Sequence, residues 1–364
     1  MTRHCACRLI AATCVALCLN LAFVGVPAQA GTAYVDGISD QSLPSWDGDF
    51  HGSYFADIFH QAWVGSPPSH VTLARYVVQW DAVAESEKGK PEYLRRFESW
   101  LEDVAGIGLT PDLALTSYTG AYPSSPDEYQ AQLEEILGRA LRMGHPIRYL
   151  EAWNEPNNQG AESAANAAHF TNAADAICGQ GYGCTTIAGN FEDSPGVAVY
   201  ENKYIKNLNP IPTIWGVHPY YSVEEENETP FLDFREHLPH GGAGERIWFT
   251  EVAARKCSDF GGREVENGEE GQAQRANWLV NTLMRDVEPE HVFYYEFLLG
   301  ERRQPSCQSE GSDSALYLPG GDSHALDYPR PAASYIWGGA NALWGFPGDA
   351  FAVSAEQAAL TGGV

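Results

Sequence analysis

The sequence predicts an α/β fold of the (β/α)8 barrel class in a single domain, and three observations lead to this prediction. After residue 30, short β-branched or aromatic segments alternate with longer amphipathic segments along the chain. Eight such pairs fit in a chain of 364 residues, an ordinary length for this barrel. The alternative is an open, doubly wound sheet. That fold needs a Gly-rich phosphate-binding loop after the first strand, and residues 37–40 do not supply one.

The predicted strands are the short runs in which β-branched, aromatic and other apolar residues predominate. In chain order they are residues 34–39, 71–78, 112–115, 148–153, 185–190, 213–218, 246–250 and 291–297. Since each is followed by a helical pattern, the strands are expected to run parallel, with a helix between each strand and the next.

The predicted helices are identified by apolar residues spaced three or four apart. Segment 91–105 begins with Pro91, which is favoured in a first helical turn, and places Phe97, Leu101 and Val104 on one face. The same periodicity identifies the other helices, which are residues 54–63, 126–142, 164–177, 200–208, 231–238, 271–285 and 332–343.

Residues 1–30 have the pattern of a secretory signal peptide. Two arginines make the start positive, the run 9–26 carries no charge, and an Ala-x-Ala cleavage site ends at residue 30. We therefore expect export, and a mature catalytic domain of residues 31–364. The alternative is an uncleaved membrane anchor, because the apolar run is near the lower limit for a bilayer span.

Four cysteines follow this leader, and an even number in an exported protein suggests disulfides. Cys178 and Cys184 flank a short Gly-rich step that can close a loop, so we expect them to pair and to leave Cys257 with Cys307. Other pairings stay open. A zinc site is the alternative, although no C-x-x-C motif or histidine cluster supports it.

The formal net charge of −26 limits the partners of the protein. Such a field repels nucleic acid phosphates and anionic lipid headgroups. We therefore expect neither a nucleic acid partner nor membrane binding once the leader is removed. We expect a monomer with a neutral or cationic ligand.

The candidate site follows from the barrel, because these folds carry their chemistry at the carboxyl ends of the strands. The fourth predicted strand leads into Asn154-Glu155-Pro156, and the seventh leads into Glu251. Two glutamates therefore end two strands of one barrel. The structural alternatives are a helix-start carboxylate for Glu155 and a solvated strand end for Glu251.

This pair of windows resembles the large clan of retaining (β/α)8-barrel glycoside hydrolases, which includes cellulases, β-mannanases and β-xylosidases. The resemblance covers the strand order of the whole mature chain, and at the level of residues it rests on a few positions. Members of the clan carry an acid/base glutamate after strand four and a nucleophile glutamate after strand seven. The resemblance thus implies that Glu155 is the acid/base and Glu251 the nucleophile.

Glycoside hydrolysis by this route needs two carboxyl groups and neither a metal nor a cofactor. The acid must hold a proton near neutrality, so we expect a raised pKa at Glu155. The nucleophile must stay ionised, so we expect hydrogen-bond donors and positive charge around Glu251. In retaining enzymes the two carboxyl groups lie about 5–5.5 Å apart.

The resemblance also implies supporting residues. Arg75, in the second predicted strand, matches an arginine near the nucleophile. His218-Pro219-Tyr220 matches a His-x-Tyr pattern in which the tyrosine donates to the nucleophile and the histidine lines the sugar subsite. Asn154 matches the asparagine that holds the sugar 2-hydroxyl. Core packing, or for Arg75 a surface strand position, is the alternative explanation.

Aromatic side chains near strand ends suit the C–H faces of sugars. Trp80 follows the second strand, and Tyr295 lies in the eighth window. Many members of the clan carry a tryptophan in that window as a floor for the cleaved sugar, and here Tyr295 or Phe297 stands in its place. This departure leaves the identity of the sugar open. Core packing is the alternative for each ring.

These observations predict a secreted retaining glycoside hydrolase. It would cleave β-linked O-glycosidic bonds of a poly- or oligosaccharide by double displacement. A catalytically inactive carbohydrate-binding barrel is the main alternative, and an inverting hydrolase differs in the separation of the two carboxyl groups. The sequence contains no Gly-x-Ser-x-Gly motif, which argues against an esterase.

Overall fold

Eight parallel strands close into a barrel in the computed structural model, which describes residues 35–39, 70–158, 163–260, 263–297, 312–319 and 326–337. Each barrel strand pairs with the next one in the chain, and the last pairs with the first. These strands, β1 to β8, are Gly37–Ser39, Leu73–Gln79, Thr110–Thr116, Tyr149–Glu151, Thr185–Glu192, Ile214–His218, Arg246–Val252 and His291–Tyr294. The predicted fold class is confirmed, and every predicted strand overlaps an observed one.

Helices connect these strands. The described α-helices are Ala82–Glu87, Glu92–Ile107, Pro126–Arg142, Ala164–Ile177, Val197–Ile205, Tyr220–Glu224, Thr229–His237, Gly268–Trp278, Met284–Val287 and Pro331–Ile336. The predicted helix 271–285 is interrupted by a wider turn at Leu279–Leu283. The short helices Ala82–Glu87 and Tyr220–Glu224 were not predicted. The predicted helix 54–63 and residues 338–343 of the last one lie outside the described residues.

Local sequence explains where the long helices begin and end. The side chain of Ser125 accepts a hydrogen bond from the Glu128 amide and so caps the helix Pro126–Arg142. The helix Glu92–Ile107 ends at Gly108, whose φ of 81° is the left-handed conformation that a glycine adopts without a steric penalty.

Two buried layers fill the molecule. The larger lies between the sheet and the helices. The smaller fills the amino-terminal half of the barrel lumen with Leu73, Ile187, Ile214, Trp248 and Phe293. Because side chains alternate along a strand, the residue two positions after Leu73 also faces the lumen. The carboxyl half of the barrel is therefore where polar side chains meet.

The predicted disulfide between Cys178 and Cys184 is confirmed. It closes a loop directly after the helix Ala164–Ile177, as the Gly-rich step predicts. Cys257 is also disulfide-bonded. Because Cys307 lies outside the described residues, its pairing with Cys257 stays a prediction.

The predicted signal peptide, residues 1–30, also lies outside the described residues. Among the helices that the structure does describe, none combines the length and the apolar character needed to cross a membrane.

Candidate active site

Glu251, near the end of β7, is held by donors from two other elements. Arg75 Nη1 donates to its Oε2 at 2.5 Å, and the Tyr220 hydroxyl donates to its Oε1 at 2.5 Å. The residue is only 6% exposed. Both carboxylate oxygens are thus bound in a site with little water, where such bonds stabilise negative charge strongly.

Arg75, on β2, lies at the centre of the carboxyl end of the barrel, which we call the mouth. Its side chain is fully buried. It makes a bidentate ion pair with Glu151, in which Nε donates to Oε1 at 2.7 Å and Nη2 donates to Oε2 at 2.8 Å. It also donates to Asn154 Oδ1 at 2.6 Å and to Ser39 Oγ at 3.1 Å. Burial alone would lower the pKa of Arg75, but Glu151 and then Glu251 raise it. Arg75 is therefore a permanent cation in a fixed orientation.

A third carboxyl group lies beside this cation. Asp112 on β3 is the register partner of Arg75 and is fully buried. Burial, and then the negative charge of Glu151, raise the pKa of Asp112 well above its ordinary value. This environment favours the protonated form of Asp112, while Arg75 donates hydrogen bonds to Glu151 and Glu251.

Glu155 follows β4 in an unusual backbone conformation. Its φ is 44°, in the left-handed region, and its amide donates to the carbonyl of Asn190 at 3.1 Å. A non-glycine residue in this region costs about 1–3 kcal/mol and is found where neighbouring structure enforces it. The side-chain oxygens contact His218 Nδ1 at 2.9 Å and Asn158 Nδ2 at 3.2 Å. Backbone and side chain together aim Glu155 across the mouth.

The electrostatics of Glu155 differ from the sequence-based expectation. Burial alone would raise its pKa, but the hydrogen bond and charge of His218, and then Asn158, lower the pKa to about 2. The expectation of a raised pKa is therefore wrong for this arrangement. The physical reason is the position of the His218 ring, because a donor on a carboxylate favours its charged form.

Glu155 and Glu251 face each other at short range. With His218 they form a group in which one ligand atom of each residue lies within 4.8 Å of the others. Among the described residues, these three have ligand atoms close enough together to hold a cation. His218 and Glu155 already bond each other, and both Glu251 oxygens already accept hydrogen bonds. The geometry therefore favours a pair of carboxyl groups that act in catalysis over a cation site.

The structure brings Arg75, Asn154, His218 and Tyr220 together around the two glutamates, as described above. The contact of Trp80 with sugar stays a prediction. This side chain is only 3% exposed, and its indole N–H donates to the Ala121 carbonyl at 2.7 Å, so it anchors the loop after β3. Tyr295 is half-buried beside β7, and its role as a sugar floor stays a prediction.

Sequence reasoning missed the residues that support this cluster, which are Asp112, Glu151, Asn158, Glu192, Asp193 and Arg255. Asp193, for example, accepts the Tyr221 and Ser222 amides at 2.7 and 3.0 Å. It thereby holds the short helix Tyr220–Glu224, which begins with the tyrosine that binds Glu251. The sequence did contain a signal for some of these residues, namely charged residues within otherwise apolar strands. Such residues are expected only where the fold supplies hydrogen-bond or ion-pair partners.

Comparison with known proteins relates this chain to solved structures only. No protein-family model and no curated protein sequence matches it. SrfJ from Salmonella typhimurium has a TM-score of 0.57 at 13% identity, over 84% of this chain and 75% of that one. A β-glucuronidase from Ruminococcus gnavus has a TM-score of 0.55 at 15% identity, over 83% and 49%. A glucosidase from Croceicoccus marinus has a TM-score of 0.52 at 12% identity, over 73% and 60%.

The resemblance to glycoside hydrolase barrels is thus confirmed at the level of the fold. Two of these three neighbours are named as glycosidases, and each of those two is considerably longer than the region that this chain matches. At such identities a common fold does not carry function from one protein to another, because function lies in the site.

Proposed function

We propose that this protein is a retaining glycoside hydrolase, with Glu251 as nucleophile and Glu155 as acid/base. The observation that carries the proposal is the approach of these two side chains to within 4.8 Å across the barrel mouth. Retaining enzymes separate their carboxyl groups by about 5–5.5 Å, and inverting enzymes by about 6.5–9.5 Å to admit a water molecule. The glycosidase-like fold of the neighbours adds support.

In the first step, a Glu251 oxygen attacks the anomeric carbon while the bond to the leaving oxygen breaks. The bonding electron pair stays on the leaving oxygen, which takes a proton from Glu155. Arg75 and Tyr220 orient Glu251 for the attack. Asn154, fixed by Arg75 at 2.6 Å, is in position to meet a sugar hydroxyl.

In the second step, Glu155 accepts a proton from water, and the water oxygen attacks the anomeric carbon. The bond to Glu251 breaks, and its carboxylate returns to Arg75 and Tyr220. Two displacements restore the original anomeric configuration. The residue pair completes both steps without help from a metal or a cofactor.

The proposed substrate is a β-linked poly- or oligosaccharide. Tyr118 and Tyr122 are each 41% exposed after β3. The ring of Tyr118 stacks on Tyr93 and that of Tyr122 on Trp153, both with centroids 5.8 Å apart. Rings fixed in this way suit the C–H faces of sugar units beyond the cleavage point. Export through the signal peptide would bring the enzyme to such polymers.

The competing proposal is a carbohydrate-binding barrel without catalysis. The two proposals differ in turnover, so the test is a panel of 4-methylumbelliferyl β-glycosides of glucose, mannose, xylose, galactose and glucuronic acid. Proton NMR of the product during the first minutes then identifies the anomer that forms first. The β-anomer is expected. An α-anomer formed first would exclude retention, and absence of turnover on the panel and on dyed polysaccharides would favour the binding protein.

A further inference from the structure

The mouth contains a carboxyl group that the two-step mechanism does not use. Glu192 ends β5, between the strand that leads to Glu155 and the strand that ends in His218. Phe191, immediately before it, packs outward against Tyr200 and Tyr204 in the helix layer. Because side chains alternate along a strand, Glu192 points to the opposite side, towards the mouth.

The backbone of Glu192 is fixed to the segment that carries Glu155. Asn157 Oδ1 accepts the Glu192 amide at 3.0 Å, and Asn157 Nδ2 donates to the Glu192 carbonyl at 2.8 Å. Glu192 is also the register partner of His218, which bonds the Glu155 carboxylate. Three strands thus hold Glu155, Glu192 and His218 in one corner of the mouth.

Titratable groups from several segments of the chain surround Glu192. The groups that interact with it electrostatically are Glu155, Asp193, His218, Tyr221 and Arg255. Burial, then the charge of Glu155, and finally Asp193 raise the pKa of Glu192 to about 7, against the opposing effect of Arg255 and His218. In the same corner, Glu155 has a pKa of about 2. Of these two carboxyl groups, Glu192 is therefore the one that favours the protonated form, and Glu155 the one that favours the charged form.

We propose that Glu192 stores the proton that Glu155 delivers to the leaving group, so that the two carboxyl groups work as one acid. This inference rests on the proposed glycosidase function. Two neighbouring carboxyl groups share one proton, because their like charges oppose the ionisation of both. Glu192 acts only through Glu155, so it is a positioning residue and not a catalytic residue.

Before the glycosidic bond breaks, the proton moves from Glu192 to the Glu155 carboxylate, which leaves Glu192 charged and Glu155 neutral. Glu155 then gives this proton to the leaving oxygen as that oxygen takes the bonding pair. In the second step the proton that water loses to Glu155 returns to Glu192, and the enzyme regains its first state.

The test is the pH dependence of kcat/KM for Glu192→Gln, which keeps the shape of the side chain and removes its titration. The substrates are the phenyl and 2,4-dinitrophenyl β-glycosides of the sugar that turns over best in the panel above. Phenolate needs a proton to leave and dinitrophenolate does not. We expect the alkaline limb for the phenyl glycoside to move to lower pH by at least about one unit. The limb for the dinitrophenyl glycoside should stay in place.

Two further variants control for charge and folding. Glu225→Gln removes one exposed negative charge from the same end of the barrel, and its profile should match the wild type. Glu192→Asp keeps a titrating group and should retain part of the alkaline limb. If Glu192→Gln unfolds, 13C NMR of glutamate-labelled wild-type protein still provides the test, because a carboxyl group titrating near neutrality must be present.

Several results would overturn the proposal: an unmoved limb, an equal shift with both substrates, a loss independent of pH, or no carboxyl titration near neutrality. These outcomes are distinguishable from failure of the proposed function. If the proposed function fails, the wild-type protein itself turns over none of the glycosides.

Discussion

The mouth of the barrel and the surrounding helix layer both bury carboxyl groups, but in opposite ways. At the mouth, Glu251 and Glu151 share the buried cation of Arg75. In the helix Val197–Ile205, Glu201 is fully buried, and neither of its oxygens has a hydrogen-bond partner among the described residues. Burial, and then the charge of Asp233, raise the pKa of Glu201 to about 9.

This difference shows that burial alone does not decide the ionisation of a carboxyl group. Where donors and a cation converge, the group can keep its charge, and where they are missing it keeps its proton. The mouth is therefore the region in which buried negative charge can serve chemistry. Mutations in the two regions should differ in kind, with losses of activity at the mouth and changes of stability in the helix layer.

The largest expected effect is that of Glu251→Ala. This change removes the proposed nucleophile, so no glycosyl-enzyme can form, and kcat/KM should fall by about 10⁴-fold or more on every substrate. The measurement is turnover of the 2,4-dinitrophenyl glycoside with added azide. Any azide product should have inverted configuration, and substantial residual activity without azide would assign the nucleophile elsewhere.

Glu155→Ala should differ from this variant in kind as well as in rate. Its first step needs no acid when the leaving group is dinitrophenolate, so a burst of dinitrophenolate should precede slow turnover. Azide should then accelerate breakdown of the glycosyl-enzyme and yield a β-glycosyl azide of retained configuration. Equal losses in both variants, with neither a burst nor an azide product, would contradict the assigned roles.

Tyr220→Phe should have an intermediate effect. It removes one hydrogen bond to the Glu251 carboxylate, and a bond to a charged group contributes about 1.5–3 kcal/mol, so kcat should fall by about 10- to 100-fold. The matched control is Tyr204→Phe in the helix layer. This variant also loses buried hydrogen bonds, at 2.6 Å with Thr171 and at 3.2 Å from the Gly189 amide, but should retain its kcat. Equal kcat values in the two variants would refute the role of Tyr220.

Glu201→Gln should have the smallest effect on activity and a clear effect on stability. The folded-state pKa of Glu201, about 9, lies above the ordinary value of 4.5. The folded state is therefore most favoured below pH 4.5 and loses stability as the pH rises towards 9. At pH 7 the loss of folding free energy is about 3 kcal/mol.

Because glutamine does not titrate, the variant should gain melting temperature relative to the wild type as the pH rises from 5 to 8. Calorimetry at several pH values measures this change, and it separates the titration from any fixed cost of burying an amide. A difference in melting temperature that does not vary with pH would mean that Glu201 has an ordinary pKa.

The parts of the site that were predictable from sequence are those with a local signature. Strand and helix periodicity is local, and it located β4 and β7 closely enough to put Glu155 and Glu251 at strand ends. The sequence Asn154-Glu155-Pro156 then suggested chemistry. These inferences required no knowledge of how distant segments pair.

The remaining features depend on pairing across the barrel. Arg75 and Glu151 are 76 residues apart in the chain, and only the register of β2 to β4 brings them together. The low pKa of Glu155 depends on the orientation of a ring 63 residues away. The burial of Trp80 depends on the path of the loop after β3. Periodicity carries no information about such contacts.

Arg75 and Tyr220 reach Glu251 from separate elements, so the two donors do not depend on the side chain that they hold. In the Glu251→Ala variant they would still point at one small volume, now empty of its carboxylate. That volume suits formate, a free anion with the same two oxygens. Supplied with an activated α-glycosyl fluoride and an acceptor sugar, the variant could no longer hydrolyse a β-linked product, so the barrel would build the bonds that the wild type is proposed to cleave.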